Sequence, residues 1–245
     1  MKRFTFTGLL LYAAMAFFLT SCGSGKGDEN NTDSTTTDTT TSMMMPETNT
    51  IVTTPQNMMV IMHKVSNFSK WKSAYDEHDS ARLANGIHNY VIGRGTQDSN
   101  MVMVALKIDD VAKAKAFAKD PGLKKAMQKG GVTGTPSISF ATMVFQDTAD
   151  IGSAIRSRTT FTVKDWDAWQ KAFEDGKQER LDNGIAARAY GYDPDDNKKA
   201  TLVTALTDTA KAFAYYKSDA LKERRKASGV IGQPQRFLFK IVQRY

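Results

Sequence analysis

The chain of 245 residues contains one cysteine and three histidines. A single thiol, Cys22, excludes a disulfide framework, a CxxC redox pair and every zinc site built on paired cysteines. The sequence has no Gly-rich phosphate loop, no HExxH, no GxSxG and no calcium-type ladder of carboxylates, so no nucleotide, metalloprotease, serine-hydrolase or EF-hand chemistry is signalled. No apolar run reaches the ~20 residues of a comfortable membrane span.

The N-terminal residues supply context. Lys2 and Arg3 precede an apolar stretch from Phe4 to Leu19, the pattern of a secretory leader. The stretch ends in Leu19-Thr20-Ser21-Cys22-Gly23, which resembles a bacterial lipobox, where the cysteine is acylated and becomes the new N-terminus. That the sole cysteine falls at this spot favours a lipobox over an ordinary signal peptide in residues 1–22. Gly23 after the cysteine fits retention in the outer membrane. Residues 23–57 include Thr35-Thr36-Thr37-Asp38-Thr39-Thr40-Thr41 and lack periodicity, which reads as a disordered tether. The expected location is the cell envelope, on the periplasmic or outer face, with the membrane as a partner through lipidated Cys22.

The net charge of +7 divides unevenly. Residues 1–57 hold three basic and five acidic side chains, leaving 30 basic and 21 acidic ones, a net +9, to residues 58–245. An extracytoplasmic domain has little access to nucleic acid, and no series of stacking aromatics accompanies the charge. Nucleic acid is not an expected partner. Anionic surfaces, an acidic ligand or solubility account for the excess.

An internal repeat organises the remainder. A shift of 98 residues aligns Val65 with Val163, Trp71 with Trp169, Arg82-Leu83 with Arg180-Leu181, Asn85-Gly86-Ile87 with Asn183-Gly184-Ile185, and Gly131-Val132 with Gly229-Val230. The units span 58–147 and 157–245, with a linker at 148–156. Each reads as strand, helix, strand, strand, helix, strand. Met59–Val65 is a strand apolar on both faces. Asn67 and Asp165 cap the helices that follow. Phe68, Trp71, Tyr75, His78 and Arg82 form one helical stripe, repeated as Trp166, Trp169, Phe173, Gly176 and Arg180. His88–Arg94 and Met101–Ile108 are strands, Val111–Lys119 a helix, and Ser137–Phe145 and Arg236–Val242 the closing strands. The order βαββαβ is the ferredoxin-like split unit. The fold class is therefore α+β, with two tandem ferredoxin-like units whose sheets pack face to face as a pseudo-dimeric α+β barrel. Pairing within one chain, as a monomeric pseudo-dimer, is expected, with a swap between chains left open.

The pattern Val65-x-x-Phe68-x-x-Trp71, Tyr75-x-x-His78, Arg82, Gly86 and Gly131-Val132-x-Gly134-x-Pro136 resembles the dimeric α+β-barrel superfamily, especially its small antibiotic-biosynthesis-monooxygenase-like and cyclase-like members. The resemblance covers both units and implies the fold. It implies less about activity, because the superfamily includes cofactor-free oxygenases, isomerases, haem enzymes and members without assigned activity.

All three histidines lie in the first unit: His63, His78 and His88 stand opposite Phe161, Gly176 and Ala186. A polar pocket is accordingly expected in the first unit. Alternation puts His63 on the strand face of Ile61 and Val65, while His78 shares the helix face of Trp71 and Tyr75. Neutral imidazoles at one cavity could accept a proton or ligate haem iron. The alternative, strongest for His88, is a structural histidine satisfied by backbone. Arg82 could stabilise an enolate or bind an anion; its retention as Arg180 favours an ion pair near the Asn85-Gly86 turn. Trp71, Tyr75, Tyr90 and Arg94 are candidate ligand-lining residues, with Trp71 equally economical as core. Asp76-Glu77-His78-Asp79 diverge around a helix, so neither a metal nor any other cofactor is expected. Lys113 to Lys129, and Lys222, Arg224, Arg225 and Lys226, read as solvated helix faces.

The first expectation is a lipid-anchored envelope protein whose barrel binds a small anionic or aromatic molecule, or is structural, without turnover. A cofactor-independent monooxygenase or isomerase using His63, His78 and Arg82 is the alternative, and a haem protein a third. Lipidation has a direct check. In a Gram-negative host, Cys22→Ser should move the protein from the detergent phase to the aqueous phase of a Triton X-114 partition; a variant that stays in detergent contradicts acylation.

Overall fold

Strand alternation sets the architecture of residues 49–245, which a computed structural model describes; the leader, Cys22 and most of the tether lie outside the described residues. The elements of the first unit are β1 (Ile51–Val52), β2 (Gln56–Val65), α1 (Phe68–Glu77), α2 (Asp79–Ala84), β3 (Ile87–Gly95), β4 (Met101–Ile108), α3 (Val111–Phe117), α4 (Pro121–Lys129) and β5 (Val132–Asp147). The second unit repeats them without the short first strand: β6 (Ile155–Val163), α5 (Trp166–Asp175), α6 (Lys177–Asp182), β7 (Ile185–Asp193), β8 (Asp196–Leu206), α7 (Thr209–Lys217), α8 (Asp219–Ala227) and β9 (Val230–Arg244).

Several boundaries differ from the sequence reading. Ile51 and Val52, assigned to the tether, pair with Asp147 and Gln146, and β2 begins at Gln56 rather than Met59. Ile155 and Arg156, assigned to the linker, open β6. The closing strands begin earlier than expected, at Val132 and Val230. Each long helix is interrupted at the middle of its stripe, where His78 (φ −90°, ψ 11°) and Gly176 (φ −85°, ψ 14°) separate two shorter helices. Asn67 and Asp165 cap α1 and α5, accepting from the amides of Lys70 at 2.9 Å and Ala168 at 2.8 Å.

Within each unit the strand orders are β5-β2-β4-β3 and β9-β6-β8-β7, and every pairing is antiparallel. The two sheets then join edge to edge, β3 to β9 and β5 to β7, rather than stacking as separate layers. Both seams lie within one chain, and they close eight strands into a ring without free edges. The fold is a tandem ferredoxin-like α+β barrel.

Closure gives each strand an inside and an outside. Met59, Ile61 and Val65 of β2 and Val102, Val104 and Leu106 of β4 face the helices and bury against Trp71, Phe117 and Leu123. Met58 and Val60 face the opposite way, into the barrel lumen with Met103, Ala141, Met143 and Phe239. Full burial of such a side chain contributes roughly 1.5–3 kcal/mol, so a one-residue slip of register, which exchanges the two sets, is strongly disfavoured.

The repeated Gly-x-Pro segments are bulges. In the β2–β5 ladder Met62 pairs with Ser137 but Lys64 with Thr133, so Gly134-Thr135-Pro136 loops out opposite His63. The β6–β9 ladder repeats this, with Gly232-Gln233-Pro234 opposite Phe161. Gly134 (φ +72°) and Gly232 (φ +69°) occupy the left-handed region that glycine reaches without strain.

Candidate functional site

In each unit a pocket lies between the helices and the outer face of the sheet. The first is a cavity of about 40 Å³ lined by Ile61, His63, Trp71, Tyr75, His78, Arg82 and residues of α3 and α4. His63 reaches it from β2, its ring centroid 5.5 Å from that of Trp71. His78 reaches it from the break between α1 and α2 and packs against Phe117. The structure thus brings His63, His78, Arg82, Trp71 and Tyr75 to one place. Their period-two and 3–4 spacings were sufficient to foresee this.

Four nitrogen atoms around this cavity lack a hydrogen-bond partner: both ring nitrogens of His63, Nδ1 of His78 and Nε of Arg82. Burial holds His63 at a pKa of about 4, and burial followed by the Arg82 charge lowers that of His78. Both rings are therefore neutral at pH 7, able to accept a proton or to hold a water-sized molecule, for which 40 Å³ is ample.

Arg82 is otherwise committed to the fold. Nη1 donates to the Tyr75 carbonyl at 2.8 Å, Nη2 to Asp79 at 3.0 Å, and the guanidinium stacks 3.7 Å from the Tyr75 ring. The Tyr75 hydroxyl donates to Asn89, whose amide donates to Asp79 at 2.6 Å, and burial raises the Tyr75 pKa. Arg180 repeats the carbonyl and ring contacts, donating to the Phe173 carbonyl and stacking 3.5 Å from that ring.

Two expected lining residues lie elsewhere. Tyr90 faces the barrel lumen, because a bulge between Asn89 and Val91 switches the alternation of β3. Arg94 lies over Phe68 at 4.4 Å and donates to the Ser99 carbonyl. His88 is an exposed partner of Asp109 at 3.0 Å. Asp76, Glu77 and Asp79 pair separately with Lys72, Lys129 and Arg82. Among the described residues no group of three or more His, Cys, Asp or Glu side chains gathers to hold a metal.

The second unit holds the larger pocket, about 100 Å³, which the sequence reading passed over. Trp169, Phe173, Ile185, Leu202 and Leu221 make an apolar floor, and Arg224, Arg225 and Arg236 stand around it. Glu179 takes Arg224 and accepts from the Tyr215 hydroxyl at 2.7 Å. Arg236 lies 3.4 Å over the Tyr216 ring, and neither it nor Arg225 has a carboxylate partner among the described residues. The 98-residue offset was the available signal: it sets Arg225 and Arg236 opposite Met127 and Ile138, two apolar positions.

No protein-family model matches the chain, and no curated protein does. Solved structures do. A presumed monooxygenase from Fusobacterium nucleatum is 12% identical, with 78% of this chain and 94% of that one covered at a TM-score of 0.50. An anthrone oxidase-like protein is 13% identical (79% and 94% covered, TM-score 0.52), and a presumed chlorite dismutase 14% identical (77% and 96%, 0.52). The likeness is one of fold, that of the dimeric α+β barrels, built here from two units of a single chain. Among the described residues no helix is long and apolar enough to cross a membrane.

The neutrality of His63 carries a pH signature. Its folded pKa, about 4, lies below the ordinary 6.5, so the folded state binds fewer protons than the unfolded state between these values. Its contribution is intact above pH 6.5 and is lost as pH falls towards 4, by about 3 kcal/mol. Urea unfolding of His63→Phe, the residue of the second unit at this position, should lack that part of the acid loss; parallel pH curves for variant and wild type would contradict the assignment.

Proposed function

We propose that the barrel is a small-molecule-binding protein, held at the cell envelope through Cys22, and that its principal ligand is an aromatic anion. The site is the second-unit pocket. One observation carries this reading: two guanidiniums without carboxylate partners, Arg225 and Arg236, stand over a floor of Trp169, Phe173, Ile185 and Leu202. An apolar body on that floor and a carboxylate at the rim would meet both requirements, since guanidinium–carboxylate hydrogen bonds are charge-assisted and can be bidentate. The fold likeness to presumed monooxygenases supports a ligand-holding barrel and leaves the chemistry open.

Turnover is the less favoured reading. The first-unit cavity offers a neutral imidazole base, but its 40 Å³ suits water better than an aromatic substrate. Its orphan nitrogens fit a buried water held between His63, His78 and Arg82.

The test is calorimetric titration of the full chain with 1-naphthoate and with neutral 1-naphthamide. Naphthoate should bind at one site. Arg225→Met and Arg236→Met should each weaken it roughly tenfold, the value of one lost charge-assisted hydrogen bond, while naphthamide discriminates little between the proteins. Equal naphthoate affinity in wild type and both variants would overturn the assignment.

A further inference from the structure

The barrel lumen holds a second set of arginines, on the opposite face of the sheet from both pockets just described. Alternation along β6 sends Thr159 and Phe161 to the helix-side pocket and Arg156 and Arg158 inward. Arg188 of β7 and Arg244 of β9 reach the same cavity, of about 100 Å³, whose walls are Met58, Val60, Met103, Met143, Val203 and Phe239. Asp147 is the single carboxylate among these lining residues.

That carboxylate is already taken. Arg188 donates to Asp147 Oδ2 at 2.5 Å and to the Ala149 carbonyl. Arg156 is 2% exposed, has Nη1 on the Ala154 carbonyl at 2.6 Å, and keeps Nη2 buried without a partner. Arg158 donates from Nη2 to Ser139 Oγ at 3.1 Å, lies against Met62 Sδ through Nη1 at 3.9 Å, and keeps Nε buried without a partner. Two guanidiniums are thus enclosed with no carboxylate in ion-pair contact among the described residues, each with an unused donor, although Asp150 acts on Arg156 from farther away. An unpaired buried charge is costly, and a partner anion removes much of that cost. Desolvation, then the charges of Arg188 and Arg244, lowers the Arg156 pKa to about 10; desolvation does the same to Arg158.

We infer that the lumen is a binding site for a small amphipathic monoanion, a carboxylate with a short apolar chain: its head group meets Arg156 and Arg158, and its chain lies among the methionines and Phe239. The guanidinium fork matches carboxylate geometry, and the thioether walls adapt to a flexible chain. This site does not depend on the second-unit pocket. Sheet closure encloses it, and neither unit could form it alone.

Hexanoate and its uncharged methyl ester are the probes, titrated into the full chain by calorimetry. Hexanoate should bind with one-to-one stoichiometry, at least tenfold more weakly in Arg156→Met and in Arg158→Met, and unchanged in Arg225→Met and Arg236→Met. The ester should not bind. Without ligand, Arg156→Met should melt no lower than wild type, because it removes an unpaired buried charge, and hexanoate should raise the melting temperature of wild type but not that of Arg156→Met. If Arg156→Met fails to fold, Arg158→Met, at a less enclosed position, decides the question. Absence of hexanoate binding, equal binding in the lumen variants, or equal binding of the ester would overturn the inference. Loss only in Arg225→Met or Arg236→Met would instead move the carboxylate to the second-unit pocket.

Discussion

Backbone hydrogen bonding at two seams, β3 with β9 and β5 with β7, is the constraint on which the rest of the molecule depends. Each half presents two edge strands, and an unpaired edge is a row of unsatisfied donors and acceptors. Joining both edges to the other half satisfies them and bends eight strands into a ring. The ring then decides which residues are solvated by helices and which by one another. Met59 and Met58 are adjacent in sequence, yet one packs under Trp71 and the other lines the lumen. An interior of eight strands is just wide enough to be filled by side chains or to keep room for one small ligand.

On this shared frame the halves have diverged where the frame permits. Arg82 and Arg180 do the same work, each tying the carbonyl of an aromatic residue and covering its ring, which explains why both copies keep an arginine there. The bulges opposite positions 63 and 161 are likewise shared. The differences lie in what projects into the space beneath the helices. The first unit has His63 and His78 around a small apolar cavity, the second Phe161 and Gly176. The second unit has Arg225 and Arg236 around a larger one, the first Met127 and Ile138. Duplication followed by unequal filling turns one scaffold into two chemically distinct pockets, and the enclosed lumen is a third compartment common to both.

Local periodicity carried most of the fold. The repeat, the βαββαβ order, the caps at Asn67 and Asp165 and the meeting of His63 with Trp71, Tyr75, His78 and Arg82 all follow from spacings of two, three and four residues. What failed depended on interruptions of those spacings or on contacts between distant strands. Tyr90 sits at a bulge that reverses the face its strand presents, a bulge the second unit repeats at Arg188. Arg156 carried no signal beside the linker into which it was read, since its burial requires β9 on one side and β8 on the other. Arg225 sits within a basic helical run, and only the position of α8 over the sheet separates the guanidiniums at the pocket from the solvated lysines.

The central claim is that the working ligand site lies in the second unit, at guanidiniums that the first unit does not have. Its most direct test is two-dimensional NMR of the arginine Nε–Hε groups during addition of 1-naphthoate. The account predicts that the Arg225 and Arg236 resonances shift together along one saturation curve while that of Arg82 stays in place. Movement of Arg82 with Arg225 and Arg236 unmoved would contradict it.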